Sequence, residues 1–264
     1  MTDTPTSPTP ADTAPGGRFD PTTAVALVTG ANRGIGREIA AGLAALGATV
    51  HVGSRRLEPG EDVAATLRAD GHRAEAVALD VTDSASIAAA ADEIGERHGR
   101  LDVLVNNAGI SGGPAALGVD ADLAVIREVF DTNVFGVIAV TAAMLPWLRR
   151  SATPRIVNLT SSVGSLATMS DPDHYFTAMP AALAYPPSKT ALNALTVQYA
   201  KGLRADGILV NGADPGACAT DFTAGLPGIE RTGTDGARIV VRLATLPPDG
   251  PTGAYLAEDG PVPW

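Results

Sequence analysis

Short runs dominated by apolar residues alternate with longer stretches of mixed character along most of the chain. The runs are rich in valine, alanine and leucine and lie at 24–28, 49–53, 74–79, 101–105, 155–159 and 208–211. Such runs are typical of strands buried on both faces of a parallel sheet. The intervening stretches predict helices at 34–46, 61–69, 84–98, 120–149, 185–204 and 234–243. This alternation predicts a doubly wound α/β fold with a mainly parallel sheet.

The N-terminal segment differs in composition from the rest. Residues 1–17 contain no apolar side chain larger than alanine except Met1, and they are crowded with threonine, serine and proline. This composition predicts a disordered tail, which we expect to extend to residue 20. The remainder, 21–264, is long enough for one domain with a sizeable core.

Composition and charge narrow the class of protein. The chain carries 29 acidic against 19 basic side chains, a formal charge of −10, which argues against a nucleic-acid partner. The apolar run at 134–148 is too short to span a bilayer and predicts a buried helix, so no membrane partner is expected. The tail lacks the features of a signal peptide, and Cys218 is the single cysteine, so we expect a cytoplasmic protein.

Histidine spacing gives no sign of a metal site. The four histidines are scattered through the sequence without a metal-ligand pattern, and we therefore expect no bound metal. They are His51, His72, His98 and His174.

A glycine-rich turn follows the first apolar run and precedes the first predicted helix. Gly30, Gly34 and Gly36 let the backbone turn tightly and approach a pyrophosphate at a helix N-terminus. Glycines alone are a weak signal, and their spacing here is G-x-x-x-G-x-G. The strand, turn and helix context predicts a dinucleotide-binding loop.

The end of the second run indicates which dinucleotide is bound. Ser54, Arg55 and Arg56 stand where a dinucleotide fold meets the adenosine ribose, and 53–56 contain no carboxylate. A carboxylate there favours NAD, whereas arginine suits a 2′-phosphate. Arg33 and Arg55 together favour NADPH over NADH. The alternative is that both arginines are ordinary surface charges.

A tyrosine and a lysine lie four residues apart at the start of the 185–204 helix. Of the nineteen basic side chains only Lys189 and Lys201 are lysine, so position 189 is unusual. One helical turn places Tyr185 and Lys189 on the same face, where an ammonium favours the phenolate and makes tyrosine a usable acid or base. Such pairs also occur on helix surfaces without function. Lys201 has no tyrosine four residues before it and is interpreted as an ordinary C-terminal cation.

These residues resemble the short-chain dehydrogenase/reductase family, in particular its single-domain subgroup. The resemblance covers about residues 22–245 and implies a Rossmann-type sandwich with a seven-stranded sheet. The matching positions are Thr29-Gly30-x3-Gly34-x-Gly36, Asp80, Asn106-Asn107-Ala108-Gly109, Asn133, Ser161, Tyr185-x3-Lys189, Pro215-Gly216 and Thr220.

The resemblance implies a role for each matched residue. Tyr185 is implied as proton donor, Ser161 as the group orienting a carbonyl, and Lys189 as the residue that holds the nicotinamide ribose and acidifies Tyr185. Asn133 is implied to anchor a relay water. The implied cofactor contacts are Gly30, Asn32, Arg33, Gly34, Ile35, Gly36, Ser54, Arg55, Asp80, Val81, Asn107, Ala108, Gly109, Tyr185, Lys189, Pro215, Gly216 and Thr220.

One segment departs from the family pattern. Ser161 lies 24 positions before Tyr185, about twice the usual interval, which indicates an insertion around 165–184. The insertion resembles that of monomeric carbonyl reductases, so the chain is expected as a monomer or a homo-oligomer. Its methionine and aromatic side chains suit a lid over the substrate; the alternative is a loop that only covers apolar surface.

These features predict an NADPH-dependent reductase of an apolar, fairly bulky ketone or aldehyde. Hydride addition leaves an alkoxide, which needs a proton donor and a hydrogen-bonding group. Reduction of an imine is the nearest alternative. A sensor that binds the dinucleotide without turnover would be expected to lose Tyr185 and Lys189. Sugar-nucleotide epimerisation is disfavoured because no substrate domain fits after residue 245.

Overall fold

A computed structural model describes residues 18–224 and 228–264, which are organised around one eight-stranded sheet. The strand order is β3-β2-β1-β4-β5-β6-β7-β8, with β1 to β7 parallel and β8 antiparallel to β7. The strands are β1 Val25–Val28, β2 Thr49–Ser54, β3 Arg73–Ala78, β4 Val103–Asn106, β5 Arg155–Leu159, β6 Leu209–Ala213, β7 Tyr255–Ala257 and β8 Gly260–Pro261. The order reverses between β1 and β4, so the crevice at their carboxyl ends is the expected ligand site.

The sheet has one strand more than the seven expected. β7 and β8 form a short hairpin, with Leu256 opposite Pro261, in a stretch whose prolines and glycines predict only a tail. Gly260 adopts a φ of 133°, which allows the chain to reverse there. Strands of three and two residues are too short to produce a recognisable apolar pattern.

Within residues 18–224 and 228–264 the chain forms eight α-helices, six of which pack on the sheet. They are α1 Gly34–Ala45, α2 Leu57–Ala69, α3 Ser84–His98, α4 Leu123–Phe130, α5 Gly136–Leu148, α6 Leu166–Ser170, α7 Tyr185–Gly202 and α8 Gly233–Ala244. Helix α2 begins four residues earlier than predicted because Pro59 falls in its first turn, where no backbone N–H is needed.

The helix predicted at 120–149 is continuous but not uniform. A π-helical turn at Asp131–Phe135 joins α4 to α5 and carries Asn133. By length and composition the combined helix Leu123–Leu148 could cross a membrane, a test that core helices also pass. Val140, Met144 and Leu148 are fully buried against the sheet, as the prediction of a buried helix requires.

The core has two layers, one on each face of the sheet. Helices α1, α2 and α8 cover one face, and α3, α5 and α7 cover the other. Every residue of β1, β4, β5 and β6 is buried, which explains why apolar residues predominate in them. These four strands end at the polar segments that the sequence identified, so the fold brings those segments to one edge.

The start of the domain is anchored by a buried arginine. Phe19, which the predicted tail to residue 20 included, is only 8% exposed, and the Arg155 guanidinium lies 4.2 Å from its ring centroid. Arg155 also donates to the Leu246 carbonyl, 2.9 Å from Nε. The remainder of the predicted tail, residues 1–17, lies outside the described residues.

Candidate active site

The glycine turn forms an open cradle at the N-terminus of α1. Gly34 begins the helix with a φ of 56°, a left-handed conformation that favours glycine, and Arg33 at the N-cap makes no side-chain cap. A Cβ at Gly36 would lie 2.4 Å from Asn107 Nδ2 and 2.5 Å from the Gly30 carbonyl, so a larger residue there would collide. The cradle therefore has close backbone approach and an uncapped positive helix end, and these fit a dinucleotide pyrophosphate.

The segment after β4 locks this cradle in place. Asn107 Nδ2 donates to the carbonyls of Thr29 (2.7 Å) and Gly30 (3.1 Å). In return, Thr29 Oγ1 accepts from the backbone N–H groups of Asn107 and Ala108, each at 3.0 Å. Asn107 thus pins neighbouring backbone, as the sequence indicated, whereas Asn106 Nδ2 donates to the side chains of Thr141 (3.2 Å) and Asn158 (2.9 Å).

The predicted 2′-phosphate residues are at the crevice but differ in their surroundings. Ser54 is buried at the end of β2, and Arg55 beside it is exposed. Arg33 Nη1 lies 3.2 Å from Asp221 Oδ2, and both side chains are more than 70% exposed. An exposed pair of this kind is weak and can open to receive a phosphate. The two-arginine clamp therefore stays a prediction.

The adenine-side residues lie after β3. Asp80 Oδ1 accepts from the backbone N–H and the hydroxyl of Thr82 at 2.9 and 2.7 Å, so this oxygen shapes the turn. A Cβ at Gly136 of α5 would lie 2.8 Å from the Val81 carbonyl, so glycine lets the helix approach this turn closely. The contact of Asp80 and Val81 with the cofactor stays a prediction.

Asn133 is fully buried in the π-helical turn, and its amide is satisfied by protein groups. Its Oδ1 accepts from Ile110 N at 2.9 Å, and Nδ2 donates to the Ile110 carbonyl at 2.9 Å and to Ser188 Oγ at 3.0 Å. The side chain therefore links the segment after β4 to α7. Any contact of Asn133 with a relay water must involve its main chain, because these bonds occupy the amide.

Ser161 and Tyr185 come together across the end of β5. Two α7 side chains hold the Ser161 turn by donating to the Gly164 carbonyl, Thr190 at 2.9 Å and Asn193 at 3.2 Å. A Cβ at Gly164 would lie 2.7 Å from the Lys189 backbone, so glycine is needed for this approach. The Ser161 hydroxyl lies near enough to the Tyr185 phenol to oppose, by hydrogen bonding, the pKa rise that burial causes.

The expected acidification of Tyr185 by Lys189 is not found. Burial raises the pKa of the Tyr185 phenol above its ordinary value, and the Asp214 carboxylate raises it further. Lys189 Nζ lies 5.5 Å from the Tyr185 ring centroid, over the ring. The ammonium instead donates to the Leu159 carbonyl at 2.7 Å, and burial lowers its pKa to about 8.

The loop after β6 faces the glycine cradle. Thr220 is the residue nearest to Gly34, where a Cβ would lie 3.7 Å from its side chain. Gly216 has a φ of 69°, and its N–H donates to Asp214 Oδ1 at 2.9 Å, which closes the turn through Pro215. The fold thus places Thr220, an implied cofactor contact, beside the glycine turn.

The insertion is folded and attached to its surroundings. It contains α6 and a short helical turn at Tyr175–Ala178, whose Phe176 is buried. Gly118 N donates to the Ala181 carbonyl at 2.8 Å, and Ala167 N donates to the Trp264 carbonyl at 3.0 Å. Several large apolar side chains remain exposed in the insertion and the neighbouring loops, namely Leu117, Leu166, Tyr175, Met179, Leu183 and Phe222. Such a concentration favours an apolar ligand.

Sequence reasoning missed three residues beside the predicted site. The Phe222 ring centroid lies 5.2 Å from that of Tyr185. Asp214 is only 6% exposed and acts electrostatically on Tyr185 and on Tyr255, whose buried hydroxyl has no hydrogen-bond partner among the described residues. The Asp214-Pro215-Gly216 turn was visible in the sequence, but only the sheet register brings Tyr255 beside Gly212.

Comparison with known proteins agrees with this architecture. A family model described as short chain dehydrogenase matches residues 24–228. A short-chain dehydrogenase of Penicillium roqueforti, anuI, is 38% identical over 226 residues, which are 83% of this chain and 87% of that protein.

Two solved structures are similar over almost their whole length. The NADPH-bound carbonyl reductase from chicken fatty liver superposes with a TM-score of 0.79 at 32% identity, covering 92% of this chain and all of that one. The RhlG/NADP active-site complex of Pseudomonas aeruginosa has a TM-score of 0.78 at 32% identity, covering 90% of this chain and 96% of that one.

Proposed function

Because the chain belongs to the short-chain dehydrogenase/reductase family of NAD(P)H-dependent oxidoreductases, we propose that it reduces a ketone or aldehyde with NADPH, using Tyr185 as the proton donor. The observation that carries the proposal is the convergence of Ser161, Tyr185 and Lys189 at the end of β5. Ser161 follows β5, whereas the other two lie on α7, and Lys189 is only 4% exposed, unlike the lysine of a surface pair.

The residues divide the work of carbonyl reduction. NADPH, when bound, supplies a hydride to the carbonyl carbon, which turns the carbonyl oxygen into an alkoxide. Ser161 orients that oxygen through a hydrogen bond, and Tyr185 gives its phenolic proton to it. Burial keeps the phenol protonated at neutral pH, so its proton is present when the alkoxide forms. Lys189, buried beside Gly109, is placed to hold a ribose hydroxyl.

The cofactor choice rests on charge at the end of β2. Arg55 is exposed next to the buried Ser54, and no carboxylate stands at 53–56 to meet a ribose diol. Arg33 lies on the glycine turn across the crevice. Two guanidinium groups suit a 2′-phosphate, and both structural relatives described above are named with NADP or NADPH.

One observation favours imines as a second substrate class. Asp214 is buried near the site, and its negative charge reaches the Tyr185 phenol. A carboxylate in that position stabilises a protonated imine more than a neutral ketone. The same hydride transfer would then yield an amine.

A substrate screen tests the proposal directly. Matched pairs of small and bulky ketones, aldehydes and cyclic imines are offered to the purified full chain, and loss of NADPH absorbance is followed. Turnover of apolar bulky carbonyls supports the proposal. Tight NADPH binding without turnover of any member would favour the dinucleotide-binding sensor instead.

A further inference from the structure

The sheet register builds a cluster of metal-type ligands outside the active site. His51 in β2 stands directly opposite Glu75 in β3, and His98 is the last residue of α3, which packs over the same strands. The His51 and His98 Nε2 atoms are 2.9 Å apart, and His51 Nδ1 is 4.0 Å from Glu75 Oε2. One ligand atom from each of the three residues lies within 4.8 Å of the others.

We propose that His51, His98 and Glu75 form a binding site for one divalent transition-metal ion of the Zn²⁺ type. Two imidazoles and a carboxylate are ligands that zinc accepts, with bonds of about 2.0–2.2 Å, whereas calcium and magnesium prefer oxygen alone. Two nitrogens bound to a tetrahedral ion lie about 3.3 Å apart, close to the separation of the two histidines. Solvent completes the coordination, since His98 and Glu75 are partly exposed.

The unpaired ring nitrogen of His51 indicates that the cluster binds a further group. The side chain is wholly buried, and Nδ1 has no hydrogen-bond partner among residues 18–224 and 228–264. A metal at Nε2, the nitrogen next to His98, would place the ring proton on Nδ1, which lies 4.0 Å from Glu75 Oε2 and would gain a partner as Glu75 moves closer.

The two imidazoles of the cluster share a hydrogen bond, with 2.9 Å between their Nε2 atoms. A metal binds an imidazole through the lone pair of a ring nitrogen. The hydrogen bond between them uses one of these lone pairs, which the metal would take over.

Arg97 and Arg100 disfavour positive charge at the histidines, but each is paired with a carboxylate that reduces this repulsion. Arg97 contacts Glu75 and also lies 3.4 Å from Glu93, so one guanidinium stands between two carboxylates. Arg100, also near His98, is paired with Asp102 at 3.0 Å. A carboxylate has two oxygens, so Glu75 can keep Arg97 on one oxygen while the other binds metal.

The site would tie the end of α3 to the β2–β3 edge of the sheet. The role is structural rather than catalytic, because His51 lies three residues before Ser54, about 10 Å along the strand from the cofactor crevice. A bound ion should therefore raise the melting temperature without being needed for hydride transfer.

The test uses the full chain after treatment with a chelator and dialysis. Zn²⁺ is titrated calorimetrically, Co²⁺ by its visible absorption, and melting is followed with and without Zn²⁺. The control is His72→Ala/His174→Ala, which removes the other two histidines. We expect one equivalent of Zn²⁺ to bind and raise the melting temperature in the wild type and the control. His98→Ala and Glu75→Gln should weaken Zn²⁺ binding, His98→Ala by about 100-fold.

Two results would overturn the proposal. The first is Zn²⁺ binding that is no tighter in the wild type than in His98→Gln, which would mean a hydrogen-bonded histidine pair only. The second is binding lost in the His72→Ala/His174→Ala control. The wild-type protein alone also tests the proposal, so a variant that does not fold leaves it falsifiable. If saturating Co²⁺ gives no visible absorption from protein-bound Co²⁺, the site does not bind metal.

Discussion

Lys189 donates from Nζ to the main-chain carbonyl of Leu159, 2.7 Å away, at the end of the strand that leads to Ser161. This bond fixes the ammonium of α7 against β5. The amine is thereby held in place by the scaffold, and Tyr185 lies beside it on the same helix, its ring centroid 5.5 Å from Nζ.

Deprotonation of Lys189 should lower kcat/KM for NADPH as the pH rises. Burial lowers the pKa of its ammonium from an ordinary value of 10.5 to about 8, so the charged form is lost as the pH rises through this value. We expect kcat/KM for NADPH, which reports groups of the free enzyme, to fall above about pH 8. Lys201→Ala should leave this fall in kcat/KM unchanged. A value of kcat/KM that stays constant up to pH 10 would contradict a functional role for Lys189.

Loss of the Tyr185 hydroxyl should remove turnover and spare cofactor binding. Tyr185→Phe keeps the ring against Phe222 and deletes only the proton donor, so kcat should fall by about 100-fold or more. Steady-state rates and NADPH fluorescence titration measure the two effects. Tyr199→Phe on the same helix is the matched control. A Tyr185→Phe variant that keeps a tenth of the wild-type kcat would exclude this residue as the acid.

Reversing the charge of Arg55 should change cofactor preference. Arg55→Asp opposes a 2′-phosphate and offers a carboxylate to a ribose diol, so NADPH should bind about tenfold to a hundredfold more weakly, while NADH changes little. Titration of both cofactors checks this. Arg150→Asp, an exposed arginine that stacks on Trp147, is the control. An unaltered ratio of the two affinities would make Arg55 a surface charge.

Polar substitutions in the insertion should alter substrate ranking. Tyr175 and Met179 are 72% and 48% exposed, so replacing both with serine removes apolar surface without opening the core. We expect kcat/KM for bulky apolar ketones to fall by about tenfold relative to small ketones, with NADPH affinity unchanged. Leu57→Ser, an exposed leucine on α2, is the control. The same ranking in variant and parent would show that the insertion only covers the surface.

The sequence predicted the fold most accurately where burial is complete. The run at 155–159 has the bounds of β5, and Ser84–His98 are the bounds of α3, as the alternation of apolar-rich runs and longer mixed stretches predicted. The family motifs also led to the crevice, since carboxyl ends of parallel strands share one edge. The β7–β8 hairpin left no pattern, because its strands are short and its Gly260 and Pro261 resemble a loop.

Side-chain environment was harder to predict than position. The sequence places Tyr185 and Lys189 on one helical face, but it could not show that Lys189 would bond to the Leu159 carbonyl or that Asp214 would act on the phenol. The sequence also could not show that His51 lies opposite Glu75, because this pairing follows from the β2–β3 register and the two residues are 24 positions apart. Such relationships depend on tertiary packing, which local spacing does not encode.

The buried Arg155 has a consequence for the order in which the chain folds. Its guanidinium is satisfied by the Leu246 and Thr153 carbonyls and covered by the Phe19 ring, so its partners span most of the sequence. During synthesis β5 emerges long before residue 246, and a buried charge without partners is strongly unfavourable. Complete burial of the Arg155 guanidinium therefore requires the segment that carries residue 246, which comes late in the chain.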